Sequence, residues 1–301
     1  MRRLLTALCL LLATAGCVTP EQQRAASASA TTVPTTTLSA TTSTTTPLTT
    51  TPVTTTNAAP TSTSPVPAPP PVWVVGATPL PLGPDGFGKI LPTPAVLANR
   101  ALPTADLLPP PAGGRYAATI SAVPDAVARR STWHAGCPVS LGQLRYLTMS
   151  FWGFDGKPHT GEMLVNASVA GNVTKVFETL FAHRFPLEEM RVTALSELDL
   201  PPTGDGNNTG SFVCRAVRTG TTWSAHASGL AIDINPFCNP YTKGKLVLPE
   251  LASSYVDRSN RRPGMVFAGD PVVRAFSSIG WTWGGTWTSP VDRQHFSATG
   301  G

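Results

Sequence analysis

Ser224-Ala-His-Ala-Ser-Gly-Leu-Ala-Ile-Asp233, read with the later Asp292-Arg-Gln-His-Phe296, decides how this chain is to be understood. From Gly229 to Asn235, Leu230, Ile232 and Ile234 alternate with Ala231, Asp233 and Asn235. A period of two predicts a strand with one apolar face and one small or polar face. Asp233 belongs to the second face, and Ala231 beside it leaves room for an ion. His226 precedes Gly229, where the chain is expected to turn into the strand. His295 lies in a second short extended piece near the C-terminus. Two histidines and a carboxylate are the ligand inventory of a catalytic zinc site, which keeps a fourth position for water. Asp292, three residues before His295, is a spare carboxylate able to take a proton from that water. A histidine alone is more often a surface or core residue than a ligand. An aspartate on an apolar strand needs a partner or a cation, and that shifts the balance. The ligands come from distant segments, so the site requires tertiary closure.

Upstream, Leu144-Arg-Tyr-Leu-Thr-Met-Ser-Phe-Trp152 predicts a strand, Gly153-Phe-Asp-Gly156 a turn, and Glu162-Met-Leu-Val-Asn166 the returning strand. Val169, Val173, Val176, Phe177, Leu180 and Phe181 form a stripe at helical spacing. That helix is expected to begin at a Ser168 cap, run to about Arg184 and stop before Pro186. A strand is expected within Leu187–Ala194, and a short helix over Val272–Ile279. Strands with helices on one side and no repeating βαβ unit predict an α+β domain built on a small antiparallel sheet with flanking helices. His159 and Glu162 read as cleft-lining or, more simply, as structural groups at a turn. Trp281, Trp283 and Trp287 fall on one face if the strand register survives the glycines between them. They then serve as core or as aromatic contacts for a ligand.

The pattern Ser-x-His-x-x-Gly-x-Ala-x-Asp followed by Asp-x-x-His-Phe resembles the zinc peptidases of the M15 family, the VanY-like D-Ala-D-Ala carboxypeptidases and L-Ala-D-Glu endopeptidases, in an actinobacterial lipoprotein form. Gly280-Trp-Thr-Trp-Gly-Gly-Thr-Trp287 resembles the endopeptidase subgroup. The resemblance runs from about Trp133 to Ser297. It implies the fold of the hedgehog and DD-peptidase group, with Zn²⁺ held by His226, Asp233 and His295 and Asp292 as acid and base. It also implies that Arg215, in Phe212-Val-Cys-Arg215, polarises the scissile carbonyl. Ser224, Trp283 and Trp287 are candidate substrate contacts. Gly136-Cys-Pro-Val139 and Phe212-Val-Cys214 resemble positions in actinobacterial relatives, which implies a Cys137–Cys214 disulfide. Cys214–Cys238 is the alternative. A cysteine-based zinc site is disfavoured, because no pair has the short ligand spacing.

The 301-residue chain divides by composition. Arg2 and Arg3 precede an apolar run, Leu4 to Ala13, too short to cross a bilayer. Ala15-Gly16-Cys17 reads as a lipobox, so residues 1–17 are expected to be a lipoprotein signal with Cys17 the lipidated residue, ordinary secretion being the alternative. Residues 18–72 are mostly Thr, Ser, Pro and Ala and predict a disordered tether. About 50 such residues reach on the order of 150 Å. Residues 73–130, rich in Pro and Gly, are expected to form an extension lying on the domain or partly disordered, with Val96–Leu102 helical for a turn or two. Residues 131–301 are the expected peptidase domain.

The formal charge of +5 suits work among anionic wall polymers, and scattered Arg and Lys without a recognition motif exclude a nucleic-acid partner. The expected function is therefore hydrolysis of an amide bond in peptidoglycan stem peptides, at a cell membrane facing the wall. A zinc-containing wall-binding lipoprotein without turnover is the rival from another class.

Overall fold

Two β-runs and one helical stripe build the centre of the molecule. Leu144–Gly153 and Pro158–Asn166 pair as a long antiparallel hairpin, with Leu147 opposite Met163 and Tyr146 opposite Leu164. Gly156, at a φ of 73°, makes the tight turn, and Asp155 accepts the Lys157 N–H there at 3.0 Å. Ala118–Ser121 extends the sheet on the outer edge of the first strand, and Pro186–Leu187 pairs in parallel with that strand's end.

Both faces of the hairpin are covered. Leu147, Met149, Phe151, Met163 and Val165 meet the helix Ala170–Ala182 through Val173, Val176, Phe177 and Leu180. Each such apolar side chain contributes about 1.5–3 kcal/mol on burial. Leu144 and Leu164 face the other way, onto Val127, Val139, Val192 and Phe212. The expected Ser168 cap does not form, because Asn166 Oδ1 captures both the N–H and the hydroxyl of Ser168. A second helix, Pro271–Ser278, begins on its proline and packs Phe276 flat against Phe296, with ring centroids 4.1 Å apart.

Two smaller sheets follow. In one, the strand His295–Ser297 runs between Thr282–Trp283 and Ala231–Asp233. In the other, Val291–Asp292 pairs with Tyr241–Lys243, which pairs with Leu246–Leu248. Mixed small sheets with segregated helices make this an α+β fold.

The computed structural model describes residues 73–217 and 220–300. The expected signal, Cys17 and the 18–72 tether lie outside the described residues. Among the described residues no helix is long and apolar enough to cross a membrane.

Residues 73–130 depart from expectation. Rather than lying on the domain, they supply part of its interior. Leu80 and Leu97 share a core with Phe237, Leu251, Tyr255 and Met265. Arg100 is fully buried and grips Glu188 with two bonds of 2.5 and 2.6 Å, its guanidinium over the Phe237 ring. The Trp73 indole donates to Asp205 at 2.9 Å. A lone arginine in a Pro-rich stretch carries no periodicity, so its burial leaves no trace in the sequence. The strand expected in Leu187–Ala194 breaks into two short pieces, Pro186–Leu187 and Glu189–Met190.

Candidate metal centre

Each candidate ligand side chain is aimed by its own local structure. Ser224 begins a 3₁₀ turn, Ala225–Ser228, and its hydroxyl accepts the His226 N–H at 3.3 Å. The turn ends on Gly229 at a φ of 65°, where a Cβ would meet the Asn166 backbone nitrogen at 2.6 Å. Only glycine fits there. The His226 ring donates from Nδ1 to the Ser211 carbonyl at 2.6 Å. A carbonyl can only accept, so Nε2 is left with its lone pair facing inward.

The strand pairing does the rest. Asp233 and His295 are directly opposed across antiparallel strands. Ile232 and Phe296, one step along in each strand, are completely buried and hold the register. His226 Nε2, His295 Nδ1 and Asp233 Oδ1 then form a triangle with sides of 3.2, 3.1 and 3.3 Å. Ligand arms of about 2.0–2.1 Å on a tetrahedral ion place their tips about 3.3–3.4 Å apart, so the donor set fits a zinc-sized cation. Gln294 donates to the remaining oxygen, Asp233 Oδ2, at 3.2 Å and fixes the carboxylate's orientation.

The electrostatics agree with a cation site. Burial works against the charged form of His226, but the Asp233 carboxylate outweighs it and raises the pKa. Burial opposes Asp233 as well, and the two imidazoles overcome it, holding the carboxyl far below its ordinary range. In both cases the site favours positive charge between these groups. Asp292 behaves oppositely. Burial, and then the Asp233 charge, push its carboxyl up to about 7, against His295 and Arg293. Its Oδ1 is buried and has no hydrogen-bond partner among the described residues. Buried polar atoms are nearly always satisfied, so a water or a ligand is the natural partner for this oxygen.

Arg215 stands on the exposed end of the segment that carries Ser211. Its charge is felt at His226, where it opposes protonation. Trp287 lies against the site, its ring centroid 5.7 Å from that of His295. Trp283 does not. It is 8 % exposed, packs on Phe296, and donates its indole N–H to the Arg293 carbonyl. The short helical turn Gly284–Thr286 breaks the register that would have kept the tryptophans on one face. His159 and Glu162 are structural. His159 bridges Asp106 and Asp155, while Glu162 takes Arg130 and the Tyr146 hydroxyl.

Cys137 and Cys214 are joined in a disulfide, and Cys238 is free and buried. His134 crowds the same sulfurs, with Nε2 3.6 Å from Cys214 Sγ. His134, Cys137 and Cys214 therefore make a second ligand-type cluster, but bonded sulfurs are not thiolates.

Three contributors escaped the sequence reading. Ser211 acts through its backbone, which no side-chain motif reveals. Gln294 sits inside the quoted motif, next to His295, and was readable there as a ligand-orienting amide. Tyr241 is placed directly opposite Asp292 by a strand register that sequence does not encode locally. Opposed residues share a face, and Asp292 raises the Tyr241 phenol further after burial has done so.

Residues 218–298 match a family model described as D-alanyl-D-alanine carboxypeptidase, of the M15 peptidases. The match takes in His226, Asp233, Asp292 and His295 and stops short of Arg215. It supports a peptidase of the M15 kind. No curated protein and no solved structure is detectably similar to the chain.

Proposed function

We propose that this protein is a zinc-dependent peptidase that hydrolyses an amide bond in peptidoglycan stem peptides. The observation that carries the reading is the triangle of His226 Nε2, Asp233 Oδ1 and His295 Nδ1, with Asp292 beside it in sequence and field, its Oδ1 without a partner among the described residues. When bound, zinc would supply Lewis-acid polarisation of the substrate carbonyl and acidify a water.

The chain's own groups divide the remaining work. Ser211 and Gln294 hold His226 and Asp233 in ligating orientation. Asp292 takes the proton of the water that attacks the amide carbon, and returns it to the leaving amine. A carboxyl near 7 suits both directions of transfer. Arg215 offers its guanidinium to the oxyanion that develops on the carbonyl oxygen. Trp287 walls the site beside His295, and Ser224 keeps the His226 turn in place. A protein that only bound zinc and wall would need neither Asp292 nor Arg215.

The matched family's name makes the D-Ala-D-Ala bond the first to test, with L-Ala-D-Glu beside it. Zinc-loaded and chelated protein are incubated with defined muropeptides, and products are read by mass spectrometry. Cleavage of one bond in the loaded form alone is expected. Stoichiometric zinc without any cleaved stem peptide would leave the wall-binding reading in its place. We also assign the protein to the outer face of a membrane through a lipid on Cys17. Wild type should then partition with membranes and Cys17→Ala should not, whereas release of both into the medium would mean ordinary secretion.

A further inference from the structure

The helix Ala170–Ala182 ends in a way that its sequence should resist. Phe185 N–H bonds the Leu180 carbonyl and Arg184 N–H bonds the Phe181 carbonyl, both at 3.0 Å. That is a Schellman close, whose left-handed position normally falls to glycine. Here Arg184 occupies it at a φ of 50°. A side chain with a Cβ is disfavoured at such a φ, so the arginine is kept for something that its side chain does.

The guanidinium lies over the Trp152 ring at 4.6 Å. Trp152 is itself fixed by an indole bond to the Phe181 carbonyl. Among the described residues Arg184 has no acidic partner and its guanidinium N–H groups make no hydrogen bond. It lines an open groove of about 330 Å³ together with Arg262 and His183. Arg262 is also held in place, by Asn99 Oδ1, the Ser254 carbonyl and the Tyr255 ring, which leaves its Nη2 unbonded among the described residues. The one acid in the groove lining, Asp270, already accepts the Phe267 N–H and sits 4.0 Å from Arg261.

We propose that this groove binds a phosphate or phosphodiester group of an anionic polymer, at a site that shares no residue with the metal centre. Arg184, stacked on Trp152, offers a whole guanidinium fork to an oxyanion edge, and Arg262, held through Nε and Nη1, adds its unbonded Nη2. One carboxylate is satisfied by a single fork. One fork, one further guanidinium donor and the His183 ring suit the additional oxygens of phosphate. The prolines and apolar side chains of the floor, Pro186 and Val272 among them, exclude water from one side of the ligand.

The test uses the full-length protein and tripolyphosphate as probe, followed by calorimetry, with polyglutamate of matched charge as the carboxylate arm. Wild type is expected to bind tripolyphosphate more tightly than polyglutamate. Arg184→Gly removes the side chain while suiting the backbone. Affinity should fall at least about tenfold while Tm holds or rises. Should Arg184→Gly fold poorly, the exposed His183→Ala serves as the second variant and should also weaken binding. Unchanged affinity in both variants overturns the site. Equal affinity for the two polymers overturns the phosphate assignment, and a lower Tm with full affinity makes Arg184 a structural stack on Trp152.

Discussion

Replacing Asp292 by Asn separates the chemistry of this site from its stability. The wild-type residue is half-buried, its Oδ1 is fully buried without a hydrogen-bond partner among the described residues, and its carboxyl is raised from 3.8 to about 7. A group whose folded pKa lies above its unfolded value holds an extra proton in the folded state between the two. The stability this gives is complete below 3.8 and lost as pH climbs through about 7. Above that, the rise from 3.8 to about 7 corresponds to on the order of 4 kcal/mol held against the folded state. Asn keeps the shape without the charge, although its own buried amide takes back part of the gain. In chelated protein, urea unfolding at about pH 8 should therefore show Asp292→Asn more stable than wild type by about 1–4 kcal/mol, the difference closing near pH 4. Bound metal should shrink the gain, because a nearby cation lowers the wild-type carboxyl. Peptidase activity should fall by at least about 100-fold with metal content unchanged. A variant less stable than wild type at high pH, or one that retains full activity, would refute the reasoning. Loss of metal would make Asp292 a ligand instead.

Three further outcomes follow from the geometry. Purified protein should carry close to one zinc by elemental analysis, and His226→Ala should lose it; full occupancy in that variant contradicts the ligand set. Arg215→Lys should lower kcat/KM while retaining zinc, since a point charge replaces a planar fork, and an unchanged kcat/KM removes Arg215 from the mechanism. Arg100→Ala should cost about 3–5 kcal/mol in urea unfolding, because it strands Glu188 as a buried charge; a loss below about 1 kcal/mol would mean that water reaches the pair.

The parts of the fold that were legible in sequence are those with a period. The Leu144–Gly153 strand, the stripe on Ala170–Ala182 and the alternation around Asp233 each repeat a spacing that burial then uses. Local chemistry was equally plain at Gly229, where a turn before a strand needs a positive φ. What stayed hidden depends on pairs far apart in the chain. Arg100 meets Glu188 across 88 residues, and nothing near either one announces the other. The open question of the tryptophan face is decided by local backbone instead. A shared face requires the strand register to survive Gly284-Gly285, but the chain turns there as a 3₁₀ helix and sends Trp283 inward and Trp287 to the candidate metal centre. The Ser168 cap failed because Asn166, two residues earlier, competes for the same groups.

The stretch from Gly210 to Arg215 is a ruler. Gly210 exchanges two backbone bonds with Asp233, Ser211 sets the His226 ring, Cys214 is tied to Cys137, and Arg215 follows at once. Four fixed points on six residues leave no slack to take up an inserted residue. An insertion here would move the guanidinium relative to the imidazole by a full residue's rise, about 3.3 Å, and on the proposed mechanism that misaligns Arg215 with the carbonyl. Length variation in this region should therefore collect beyond Arg215, before Ser224, where the chain can lengthen without moving either group.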